Sequence, residues 1–476
     1  MFKGLIVTGE LGQLRYYEEV ARRLKTFGCK LGFCCDRDDP GVAQAISDIA
    51  AKYHMNFYHH METGASIAYT PSLLRSVIDK FYKYKLFPKS KNAKRFEAHI
   101  SKVKFDLFRN IHFSRLLSAR KILQDFQPDV IIIGEDGIAA DFWLISAAKK
   151  LGISVIVLPY GIADSSSLIY KGIEERHHNG ELLTTENPAV ALIKDLYPKW
   201  IKKTVYGDVI YFPPEYILAL EALKIQIPNP WCFQGGQADI LLLESDVMYQ
   251  RYADEGISKR KMQLSGSVYC DVMHDVIQEN MSLQFAFNNF QRLDEKQLHV
   301  LVCIPPSDHE GWGHRCEYSS VANFISSLLK LFNEFSHLNI VYSFHPRMKE
   351  TDRQEIIALG IIDYPGFPLY AIPHCDIMIS CGSSLARWAL AARKLVVNFD
   401  IYHFGVNDFP HVPSYIQINE MEQLKTIIHK VNQEQTWYKD ILLRSKIESD
   451  KMGKINGEAT LSIFNVIQKK IKINSH

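Results

Sequence analysis

Apolar positions along this chain fall in short blocks separated by helical stretches. Gly4-Leu5-Ile6-Val7-Thr8 reads as a strand and Gly9-Glu10-Leu11-Gly12 as a turn. Tyr16 to Phe27 has the spacing of an amphipathic helix, and Lys30 to Cys35 resumes a strand. Val130-Ile131-Ile132-Ile133 has no polar position, the mark of a strand covered on both faces of a parallel sheet. A helix over Ala139 to Lys150 and a strand over Ile153 to Leu158 follow, with Ala238 to Leu243 and Gly266-Ser267-Val268 as the last strands of a first half. The pattern then restarts. His299 to Ile304, Leu338 to Phe344, Cys375 to Ile379 and Lys394 to Phe399 read as strands, with Tyr318 to Phe335 as a helix.

This alternation predicts an α/β protein of two doubly wound parallel sheets, with ligands in a cleft between two domains. The first domain is placed at residues 1–270, with a helical insertion at about 70–126 and an irregular, aromatic-rich one at about 180–236. The second runs over 271–440, and a helix over 441–476 could cross back to brace the first.

Composition narrows the chemistry. A chain of 476 residues exceeds what one core serves, and 47% hydrophobic with 23% charged residues is an ordinary globular balance. A formal net charge of +2 gives no reason to expect a nucleic-acid partner. The nine cysteines show no paired spacing and read as small buried residues, not as a metal cage. Met1 to Val7 runs directly into a strand, and no apolar run approaches the roughly 20 residues of a membrane helix, so the expected location is cytoplasmic. Between residues 80 and 104, Lys80, Lys83, Lys85, Lys89, Lys91, Lys94, Arg95, Lys102 and Lys104 stand among aromatic residues. They read as a solvated helical face or as a peripheral contact with the inner membrane.

Three motifs follow apolar strands, where open α/β sheets place ligands. The first is Gly134-Glu135-Asp136-Gly137, in which Glu135 or Asp136 could serve as a general base once burial lifts its pKa. The turn at Gly9 and Glu10, with Gly137, is a candidate acceptor-side rim. The second is Phe344-His345-Pro346-Arg347: the proline fixes the backbone so that the His345 imidazole can donate to a phosphate oxygen, and Arg347 could neutralise charge. The third is Ser380-Cys381-Gly382-Ser383-Ser384, which opens a helix and offers hydroxyls and free backbone N–H groups to an anion. Ser307, after the first strand of the second half, joins this donor set, and Arg387 is a further candidate for phosphate charge. Asp308 to His314 matches no metal-cage spacing and reads as a donor-binding loop.

The acidic Glu135-Asp136-Gly137 triplet, the His345-Pro346 dipeptide and the paired Ser383-Ser384, in this order, resemble the bacterial sialyltransferases and polysialyltransferases and the Kdo-type transferases of capsule and lipopolysaccharide synthesis. That resemblance implies a GT-B fold and transfer of a CMP-activated nonulosonic or octulosonic acid to a glycan or glycolipid acceptor. It gives Glu135 or Asp136 the role of base, and His345, Ser383 and Ser384 the donor phosphate, with no metal or other cofactor. The stretch Cys375 to Asp400 also resembles the nucleotide-sugar 2-epimerases and UDP-sugar transferases, except that Ala386-Arg387-Trp388 stands where the epimerase pattern has acidic residues. A CDP-polyol phosphotransferase and a noncatalytic donor-binding subunit complete the alternatives.

Overall fold

The computed structural model describes residues 1–60, 90–138, 140–161, 165–279, 297–405 and 407–474. Lys80, Lys83, Lys85 and Lys89, and the side chain of Lys91, lie outside the described residues. The chain separates into two compact units. Unit 1 comprises Met1–Leu243, Met248–Leu264 and Ile463–His476; unit 2 comprises Glu244–Val247 and Ser265–Ser462.

Unit 1 is built on β1 (Lys3–Thr8), β2 (Lys30–Cys35), β3 (Asn56–His59), β4 (Val130–Ile133), β5 (Ser154–Val157), β9 (Ile240–Leu243) and β10 (Met262–Leu264). They form one sheet in the order β10-β9-β5-β4-β1-β2-β3, with every pairing parallel. The strand order reverses between β1 and β4, the switch point at which a doubly wound sheet leaves a crevice. Its helices are α1 (Leu11–Thr26), α2 (Pro40–Lys52), α3 (Ser90–His99), α4 (Lys102–Phe126), α5 (Phe142–Lys150), α6 (Ser165–His178), α7 (Pro188–Leu196), α8 (Pro214–Ala222) and α9 (Asp246–Asp254). Leu5, Val7, Ile131, Ile133, Val155, Val157, Leu241 and Leu243 are almost fully buried in one cluster with Leu123, Leu144 and Ile145 from the flanking helices. This two-sided burial is why β4 carries no polar residue.

The segment 180–236, expected to be irregular, is ordered. It holds α7, α8 and a small antiparallel sheet in the order β6-β8-β7, from β6 (Leu183–Thr184), β7 (Lys202–Thr204) and β8 (Gly207–Ile210). Trp200, Ile217, Leu218 and Leu220 form a second core with Phe142 and Trp143 of α5. Prolines mark these helices' first turns, where a missing N–H costs nothing, instead of breaking them. Two further expectations are corrected. Gly266-Ser267-Val268 is no strand: β10 ends at Leu264, and helix α10 (Val268–Gln278) begins there. The helix after Glu135 starts at Phe142, not Ala139, because the Asp141 carboxylate accepts the Leu144 N–H at 2.8 Å and caps it.

Unit 2 repeats the plan with β11 (Leu298–Cys303), β12 (Leu338–Ser343), β13 (Ile377–Ser380), β14 (Leu395–Phe399) and β15 (Tyr415–Ile418). The order is β12-β11-β13-β14-β15, again all parallel. Its switch point falls between β11 and β13. Around it lie α11 (Val321–Phe332), α12 (Glu350–Ala358), α13 (Ala386–Ala391), α14 (Met421–Gln433) and α15 (Gln435–Met452). The C-terminal stretch expected as one helix over 441–476 is thus two, the end of α15 and then α16 (Ala459–Asn474), whose residues from Ile463 onward belong to unit 1. There Phe464 stacks on Phe2 and Phe27, with ring centroids 6.0 and 4.7 Å away. Among the described residues no helix is long and apolar enough to cross a membrane.

Candidate functional site

Parallel strands deliver their loops to one edge, and in unit 1 the motif loops leave the two strands that flank the switch point, β1 and β4, whereas in unit 2 they leave β11 and β13, which flank it, and the edge strand β12 beside β11. In unit 1 these are Gly9-Glu10 after β1 and Gly134 to Gly137 after β4; β2 adds Asp36 and Arg37 alongside.

The two adjacent carboxylates of the β4 loop have different surroundings. Asp136 is 1% exposed. Its Oδ1 accepts the Gly236 N–H at 3.0 Å, its Oδ2 accepts the Ala238 N–H at 2.7 Å, and Lys261 Nζ lies 3.4 Å from Oδ2. Gly137 N–H donates to the Phe233 carbonyl at 2.9 Å, so this half of the motif is a strut holding residues 233–238 against β4. Glu135 makes no hydrogen bond among the described residues. Burial, reinforced by the negative charges of Glu10 and Asp36 and opposed by Arg37, lifts its carboxyl to about 7. Asp36 behaves similarly: burial first, then the nearby Asp141 charge, raises it to about 7. Its Oδ1 is buried with no hydrogen-bond partner among the described residues and packs so tightly against Gly9 that a side-chain carbon there would stand 2.1 Å from it. Glu10, exposed at the rim, accepts from Gln13 Nε2 at 3.2 Å and faces Arg37 at 3.9 Å. Behind this rim, His60 Nδ1 lies 2.5 Å from Asp141 Oδ2.

In unit 2 the β11, β12 and β13 loops are neighbours by strand order. Ser307 Oγ accepts the Lys349 N–H at 2.7 Å and Lys349 Nζ pairs with Glu310 at 2.7 Å, tying the first two loops together. His345 Nδ1 accepts the Arg347 N–H at 3.1 Å, so the ring proton sits on Nε2. Burial and then the Arg347 charge lower the His345 pKa, with Asp308 opposing, which favours a neutral imidazole able to donate from Nε2. Pro346 and Arg347 are exposed.

The β13 loop turns at Gly382, whose φ of +78° suits glycine. Its N–H donates to Asn398 Oδ1 at 2.9 Å. Ser383 is committed to the turn: its N–H donates to Ser380 Oγ at 2.9 Å, and its Oγ accepts the Leu385 N–H at 3.3 Å. The Ser384 hydroxyl is exposed and has no partner among the described residues. Arg387 is not a phosphate ligand here. Its guanidinium is buried, pairs with Glu244 at 2.5 Å, lies 3.7 Å over the Trp388 ring and donates to the Ser384 carbonyl at 3.3 Å.

Sequence reasoning therefore placed Glu135, His345 and Ser384 on strand-end loops, and it missed Asp36. The signal for Asp36 was its position directly after the Cys34-Cys35 strand end, on a loop beside Gly9. Among the described residues no group of three or more His, Cys, Asp and Glu side chains is placed to hold a metal ion.

No protein-family model matches the sequence, and no curated protein matches it. Solved structures do. The UDP-GlcNAc 2-epimerase of Neisseria meningitidis bound to UDP-GlcNAc superposes with a TM-score of 0.52 at 12% identity, covering 98% of this chain and 100% of that one. S. aureus MnaA in a co-structure with UDP gives 0.53 at 11%, covering 100% and 98%. CalG4, the calicheamicin glycosyltransferase, gives 0.53 at 11%, covering 99% and 98%. At such identities the likeness establishes the fold, two Rossmann-like domains of the GT-B type, and the sialyltransferase-like reading rests on the motifs alone.

Proposed function

We propose that this protein is a nucleotide-sugar-dependent glycosyltransferase, with Glu135 as the general base and the β11, β12 and β13 loops of unit 2 as the holder of the donor phosphate. The observation that carries the reading is the division of labour within Glu135-Asp136. Asp136 spends its oxygens on backbone N–H groups and Lys261, while Glu135 keeps an unbonded carboxyl lifted to about 7, near the optimum for taking a proton at neutral pH.

In this mechanism an acceptor hydroxyl oxygen attacks the anomeric carbon of the donor, and the bond from that carbon to the phosphate oxygen breaks. The hydroxyl proton passes to Glu135, and the leaving nucleotide takes the bonding electron pair as phosphate charge. His345 Nε2–H and the Ser384 hydroxyl donate to that charge, and Arg347 adds a cation at the exposed edge of the loop. No metal enters the scheme. Motif order favours a CMP-activated nonulosonic or octulosonic acid as donor and a surface glycan or glycolipid as acceptor. The buried Arg387–Glu244 pair weighs against an epimerase-like ribose site at this position, since Arg387 is committed to the protein interior.

Calorimetric titration with CMP, CDP and UDP, without divalent metal and repeated with His345→Ala, tests the donor half. The expected result is CMP binding that the substitution weakens. Preference for UDP would move the assignment to UDP-sugar enzymes, and preference for CDP to polyol-phosphate transfer.

A further inference from the structure

Helix α4 is 25 residues long, about 37 Å, and among the described residues its buried positions lie on one side. Phe105, His112, Ala119, Ile122, Leu123 and Phe126 face inward, against α5 and α8. The outer side carries Val103 at 80% exposure, Leu107 at 55%, Phe113 at 49% and Leu117 at 53%. At roughly 100° per residue these four lie within about 120° of arc, so they form a stripe and are not scattered. Cations border it. By the same geometry Lys102 and Arg120 flank one side, Lys104 flanks the other, and Lys121 continues the stripe one turn beyond Leu117. Lys94 of α3 is also exposed. Against these five exposed cations, the exposed acids of the described parts of α3 and α4 are Glu97 and Asp125.

We infer that the outer face of α4 docks on an anionic lipid surface, with the apolar stripe entering the headgroup boundary and the bordering lysines and arginines meeting lipid phosphates. An apolar strip edged by long cationic side chains is what a helix lying in a bilayer interface requires. The charge imbalance selects that occupant over a second copy of this chain, whose matching face would bring like charges together. With no membrane-crossing helix among the described residues, this attachment is peripheral and reversible.

The test is co-sedimentation of the full chain with phosphatidylcholine vesicles, with and without phosphatidylglycerol. No sugar donor is present, so the result is independent of the glycosyltransferase assignment. Two variants accompany the wild type, Leu107→Glu with Leu117→Glu and Lys102→Gln with Lys104→Gln. All four positions are exposed, and unchanged thermal melting confirms the fold. The wild type should partition onto the anionic vesicles only and be released by salt, and each variant should bind about tenfold or more weakly. A wild type that stays in the supernatant with both vesicles, or variants that bind as it does, would overturn the inference. So would light scattering that shows a wild-type dimer split by the leucine substitutions, which would give the stripe to a second copy.

Discussion

Unit 1 and unit 2 share a plan, a parallel sheet whose strand order reverses once, yet the strand-end loops of the two sheets carry opposite chemistry. In unit 1 the rim is acidic. Glu10, Asp36 and Glu135 come from three neighbouring strand ends, and two of the three hold their protons up to about 7 because burial first, and then nearby negative charge (Asp141 for Asp36, Glu10 for Glu135), disfavours the charged forms. In unit 2 the rim offers donors: a neutral His345 presenting Nε2–H, the Ser384 hydroxyl and exposed Arg347. The fold brings loops to one edge, and loop side chains decide whether that edge takes a proton or holds an anion.

Within each rim one residue that looks functional in sequence is bonded into the protein, Asp136 in unit 1 and Arg387 in unit 2, and this gives the comparison its sharpest tests. The largest effect is expected from Glu135→Gln, which keeps shape and removes the base. Turnover should fall by roughly 10²–10⁴-fold while nucleotide affinity stays the same, as rate and binding assays on one preparation would show. Asp136→Ala should act through the fold. It strands two buried N–H groups and Lys261, so unfolding free energy should drop by about 3–5 kcal/mol in a denaturant melt. Glu244→Gln should do the same in unit 2 by leaving the buried Arg387 unpaired. If it instead abolished nucleotide binding with the melt unchanged, Arg387 would be a ligand residue after all. His345→Ala should weaken nucleotide binding by about tenfold, consistent with one lost donor to a charged group.

The smallest effects concern pH. The rate should rise as pH passes through about 7, where Glu135 loses its proton, and this limb should vanish in Glu135→Gln. Stability should move the other way. A carboxyl raised in the folded protein favours folding while it is protonated, so its contribution is fully present below the ordinary carboxylate range. It is lost as pH rises through about 7. Melts between pH 5 and 8 should therefore show the wild type losing stability relative to Glu135→Gln.

Much of this architecture was legible because two-sided burial writes itself into strands such as Val130 to Ile133 and Leu395 to Phe399. The motif loops were legible as strand ends for the same reason. The 180–236 segment was not, because its helices begin at prolines and its short strands carry no alternation long enough to read. Nor could sequence separate Glu135 from Asp136. That distinction depends on backbone N–H groups of Gly236 and Ala238, 100 and 102 residues away from Asp136. Arg387 misled for a similar reason: its partner Glu244 is remote in sequence and is recognisable only once the chain is folded.

The central claim is that Glu135 moves the proton and the unit 2 loops hold the donor. The most direct test follows consumption of a panel of CMP- and UDP-activated sugars by wild type and Glu135→Gln, with nucleotide affinity measured on the same samples. The account predicts one donor consumed by the wild type, equal affinity in the variant, and turnover lost. Turnover preserved in a folded Glu135→Gln protein would contradict it.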